Sequence, residues 1–91
     1  MSTNSSVKPA DLLPDGQDFA SINGMSVRKG TVAAFLANTE ILENPHSSES
    51  QKQDAIAAMQ ELAPSVVAVG LHKHVVFKNQ IAEKILIAAE K

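Results

Sequence analysis

The chain has 91 residues, 44% of them hydrophobic, which suits one small globular domain and leaves no room for a second core. The absence of cysteine excludes disulfides, thiolate metal sites and cysteine nucleophiles, and points to a reducing, cytoplasmic setting. The net charge of −2, with a pI near 5.8, opposes the large counterion release on which nucleic-acid binding depends.

Residues 1–8 are polar and without periodicity. They are expected to be a disordered tail preceding a single α+β domain over residues 9–91. The first residues carry neither a cationic segment nor an apolar run, so no signal peptide is expected there. Pro9 to Leu13 could form one helical turn or an irregular anchor, and Pro14-Asp15-Gly16 has the chemistry of a turn.

In DFASINGMSVRK, the dipeptide Asn23-Gly24 fits a type I′ turn, which needs positive φ at both central residues. Pairing across it predicts an antiparallel hairpin over about 18–22 and 25–29. Ile22 then faces Met25, Ser21 faces Ser26, Ala20 faces Val27 and Phe19 faces Arg28. Alternation collects Ala20, Ile22, Met25 and Val27 on one apolar face, which needs helices to lie against. Asp18 and Lys29 fall opposite each other at the open end.

Gly30 breaks the strand and Thr31 is expected to cap a helix over about 31–43. Val32, Phe35, Leu36, Thr39 and Leu42 recur at helical spacing and define its expected buried face. Pro45 requires the helix to stop by Asn44. A second helix, about 49–63, starts at Ser48 or Ser50, each followed three residues later by a glutamine that fits a capping box. Pro64 is expected to end it or to open the next element.

PSVVAVGL can be read two ways. Val66, Val67 and Val69 favour a strand, whereas Pro64-Ser65 could open a short helix ending at Gly70; the short helix is the expectation. His72-Lys73-His74 are then expected to meet water, with Val75 to Phe77 re-entering the core. A third main helix is predicted over about 79–90. Ile81, Ala82, Ile85, Leu86 and Ala89 share one face, and Ile87 and Ala88 lie off it, leaving surplus apolar surface that is either enclosed or covers a partner.

No arrangement specific to catalysis emerges. The serines cluster in the tail and in the 47–50 loop, no Gly-x-Ser-x-Gly elbow exists, and the pair Glu40/Glu43 sits on an exposed helix face. His72 and His74 would share a face on a strand but point about 160° apart on a helix. Only His46 and scattered acids remain as further ligands, so neither a metal site nor a cofactor is expected.

Three binding readings remain. The first is a non-enzymatic cytosolic accessory or regulatory protein acting through protein contacts, as a homodimer or on another partner. It draws on a thin core, built with three phenylalanines and no tryptophan or tyrosine, and on the surplus apolar helix. The second is a small-anion or ligand site at the hairpin-to-helix junction, where Arg28 and Lys29 precede Gly30 and the free amides near Thr31. The third is weak DNA binding by a helix-turn-helix near Pro64, using residues 65–78. The candidate contact residues are Arg28, Lys29, Thr31, His72, Lys73, His74 and Lys78. Charge argues against a nucleic-acid partner, and no membrane segment is expected. The runs NGMSVRKGTVAAFLANTEIL and GLHKHVVFKN are similar to segments of small bacterial proteins, a resemblance that implies no activity and no site residue.

Overall fold

A computed structural model describes residues 7–8 and 16–90. The expected turn over Pro9 to Asp15 and most of the expected tail lie outside them. The element order is β1 (Phe19–Ile22), β2 (Met25–Arg28), α1 (Thr31–Glu43), α2 (Glu49–Ala68), a 3₁₀ turn (Leu71–Lys73) and α3 (Gln80–Ala89). It is an α+β fold, a two-stranded antiparallel hairpin followed by three helices.

The hairpin adopts the expected register, Phe19 with Arg28, Ala20 with Val27, Ser21 with Ser26 and Ile22 with Met25. Asn23 at φ 51° and Gly24 at φ 81° form the turn, the positive φ values that a two-residue hairpin loop demands. At the open end the Lys29 amide donates to the Asp18 carbonyl at 2.7 Å, and Lys29 Nζ lies 3.7 Å from Asp18 Oδ1. The apolar face packs inward, with Val27 buried. Asn23 Nδ2 donates to the Ala68 carbonyl at 2.5 Å, and Ser65 Oγ lies 3.6 Å from Met25 Sδ. The hairpin is thereby anchored to the second half of α2.

The N-cap of α1 is Gly30 and not Thr31. The Thr31 hydroxyl instead donates backwards to the Arg28 carbonyl at 2.5 Å, because Thr31 already has helical geometry and is buried against the turn. At the other end Asn44 is extended (φ −79°, ψ 120°), as the residue before a proline must be, and α1 stops there. The start of α2 is a complete capping box: the Gln51 amide donates to Ser48 Oγ at 3.0 Å and the Ser48 amide to Gln51 Oε1 at 2.7 Å.

Pro64 does not end α2. The helix runs through it to Ala68, so the expected break is replaced by one twenty-residue element. Proline removes one backbone bond and crowds the carbonyl four residues earlier, at a cost of about 3 kcal/mol in a helix interior. Burial overrides that cost here. Ala55, Met59, Ala63 and Val66 form a single buried stripe spanning the proline, and breaking the helix at Pro64 would pull Val66 off it. Gly70, at φ +87°, then turns the chain out of the helix.

The core joins all three helices: Phe35 from α1, Met59, Ala63 and Val66 from α2, and Ala82 and Leu86 from α3. Phe77 packs its ring edge-on to Phe35, with centroids 5.5 Å apart and planes at 84°. Asn79 caps α3 by accepting from the Ala82 amide at 3.0 Å, and its amide group donates to Glu43 Oε2 at 3.2 Å. This bond ties the start of α3 to the end of α1. Among the described residues, no helix is long and apolar enough to cross a membrane.

Candidate functional site: the 70–79 corner and its groove

Gly70 delivers the chain into the 3₁₀ turn Leu71–Lys73, so His72 and His74 are not carried side by side on a strand. The expectation that both histidines meet water is corrected for His72, whose side chain is only 7% exposed. Its Nε2 lies 2.9 Å from Glu83 Oε2 and its Nδ1 lies 2.5 Å from Glu90 Oε2. Only the imidazolium can donate from both nitrogens at once, so the arrangement favours the protonated ring. The hydrogen bonds to Glu83 and then Glu90 raise the His72 pKa above its ordinary 6.5, against an opposing effect of burial.

Glu83 also holds the next stretch of chain. Its Oε1 accepts from the Phe77 amide at 2.8 Å, and this bond, with the one to His72, lowers the Glu83 pKa below its ordinary 4.5. One carboxylate of α3 therefore grips both ends of the segment His72 to Phe77. His72 fastens the 3₁₀ turn, and the Phe77 amide fixes the ring that contacts Phe35. His74 and Lys73 are exposed and belong to neither bond. Among the described residues, no group of three or more His, Cys, Asp or Glu could hold a metal ion.

With Phe77 fixed, the two residues before it bow outwards. Val75 is 40% exposed and Val76 is 79% exposed, so the expected re-entry into the core is made by Phe77 alone. Leu36, expected on the buried face of α1, is 45% exposed. The reason is angular: Leu36 lies ~100° round the helix from the fully buried Phe35, at the margin of the buried face. Between α1 and residues 75–79 lies a groove of about 400 Å³. Its apolar lining is Leu36, Val75, Val76 and Phe77. Glu40 and Glu43 stand on the α1 bank and Lys78 on the other.

The hairpin-to-helix junction is arranged differently. The Arg28 guanidinium lies 5.8 Å from the centroid of the Phe19 ring, across the hairpin. Lys29 faces Asp18, and the Thr31 hydroxyl is committed to the Arg28 carbonyl. The three candidate residues are adjacent, but each has a partner within the hairpin or its exit. The helix-turn-helix expected near Pro64 is not formed, since residues 65–68 continue α2, and the eleven residues 69–79 before α3 hold a single 3₁₀ turn.

Sequence reasoning selected His72 and Lys78 but missed Glu83 and Glu90, and missed Leu36, Val75 and Val76 as surface. A signal for the carboxylates was present: seven residues apart, they share one face of the last helix. No family model, curated protein or solved structure matches this chain.

Proposed function

We propose that this chain is a non-enzymatic accessory or regulatory protein that acts through protein contacts, and that the groove between α1 and residues 75–79 is its contact surface. The observation that carries the reading is the exposure of three aliphatic side chains, Leu36, Val75 and Val76, around one concave site with charged banks. Contiguous apolar surface rimmed by charge is the usual composition of a protein-binding site. The surface is also held in place. Phe77 packs on Phe35, its amide is held by Glu83, and Asn79 bonds Glu43, so little ordering is left to be done on binding. The titratable cluster nearest the groove supports a structural role, because both imidazole nitrogens of His72 are taken up by carboxylates of the same chain.

Photocrosslinking tests the reading. A photoreactive residue at position 76 is expected to give protein adducts in expressing cells, and the same residue at the exposed position 53 on α2 is not. Adducts from 76 should disappear when Leu36→Asp is added. No adduct from 76, or equal yields from 76 and 53, would overturn the assignment.

A further inference from the structure

We infer that the occupant of the groove is a second copy of the same chain, docked about a two-fold axis. The inference rests on the groove being a protein-contact surface and adds the identity of the partner. Val76, 79% exposed, is the most exposed of the apolar side chains that line the groove, and it stands next to Leu36, Val75 and Phe77 in that lining. A knob and a hole on the same patch complement each other in an isologous pair, in which each copy gives its knob and receives the other's. The cavity, at about 400 Å³, is ample for a valine side chain.

Charge points to the same arrangement. Glu40 and Lys78 stand on opposite banks, and among the described residues neither forms an ion pair within its own chain. A two-fold axis running along the groove exchanges the banks, so Lys78 of each copy meets the Glu40 side of the other. Two equivalent attractive pairs then flank the apolar centre, where they set register more than affinity. The monomer also leaves a need for such cover. Among the described residues the buried hydrophobic side chains are Val27, Phe35, Ala55, Met59, Ala63, Val66, Ala82 and Leu86, three of them alanines, which makes a thin core.

The test is sedimentation equilibrium of the full chain up to about 1 mM, the range in which a weak dimer is populated. The wild type is expected to approach twice the monomer mass. Val76→Asp should weaken association by about 100-fold or more, since each copy would place a carboxylate in the partner's apolar cavity. Lys78→Glu should weaken it by about tenfold, and adding Glu40→Lys to Lys78→Glu should restore it. Positions 40, 76 and 78 are exposed, so circular dichroism of each variant should match the wild type. A wild-type chain that stays monomeric throughout overturns the second-copy inference, and position-76 crosslinks to a different protein would then leave the contact surface standing. A dimer indifferent to Val76→Asp, or a double variant that fails to recover, overturns the two-fold register.

Discussion

The hairpin-to-helix junction and the 70–79 corner each set basic residues beside a glycine with left-handed backbone, but one pairs its charge within a single hairpin and the other between separate elements. At the junction, Lys29 meets Asp18 and Arg28 lies over Phe19, both across a hairpin whose strands are joined by two residues. At the corner, His72 is held by Glu83 and Glu90, which arrive on a helix that begins eight residues later. Pairing within the hairpin leaves the junction self-contained, though exposed. Pairing between elements fixes only the two ends of the 72–77 segment, so Val75 and Val76 remain outside as a presented surface.

The sharpest way to break this contrast is to remove the aromatic anchor in each region. Phe77→Ala should destabilise the domain by about 2–3 kcal/mol, somewhat under the cost for a fully buried phenylalanine, because the ring is half-buried against Phe35. Phe19→Ala should cost about 0.5 kcal/mol, since the ring is exposed and only the contact with Arg28 is lost. Urea midpoints measure both, and equal losses would mean that the corner is no more integral to the fold than the junction.

Gly70→Ala comes next. Nothing within 4 Å would meet the added methyl, so the cost is the backbone strain of φ +87°, about 1–2 kcal/mol. Thermal denaturation should show the loss, and an unchanged melting temperature would mean that the helix end can relax without the left-handed residue.

These positions show where the fold was legible and where it was not. Asn23-Gly24, the Ser48–Gln51 box and Pro45 act over two to four residues, so the hairpin and the end of α1 could be read directly, and the start of α2 to Ser48 or Ser50, while the cap of α1 fell on Gly30 and not on Thr31. Pro64 could not, because the burial of Val66 outweighs the local preference of proline, and that burial exists only once α1 and α3 are in place. Leu36 was placed on the correct helix but on the wrong side of the edge of its buried stripe. His72 was recognised as unusual, yet its meaning depended on which side chains α3 would bring to it. The candidate site was thus partly legible, its chemistry being visible and its partners not.

The pH dependence sharpens the contrast further. His72 has a raised pKa in the folded state, so its contribution is complete below its ordinary 6.5 and is lost as the pH rises through the raised value. Glu83 has a lowered pKa, so its contribution is present above its ordinary 4.5 and is lost as the pH falls through the lowered value. The clamp therefore stabilises most between about 4.5 and about 6.5. The melting temperature should fall on the alkaline side of that window, and His72→Gln should flatten the fall. An identical pH profile in the variant would show that the clamp does not titrate with folding.

The smallest effect belongs to the junction. Lys29→Ala should change stability by no more than about 0.5 kcal/mol, because its pairing with Asp18 is solvent-exposed on both sides. A larger loss in denaturant titrations would show that the junction holds more than its own turn.

Two copies of this chain are proposed to meet at the groove beside the 70–79 corner, and not at the junction. Methyl-resolved NMR of the full chain over a dilution series tests it most directly. Concentration-dependent shifts are expected at Leu36, Val75 and Val76, with the hairpin methyls of Ile22, Met25 and Val27 unmoved. Shifts confined to the hairpin, or none at Val76 up to about 1 mM, would contradict it.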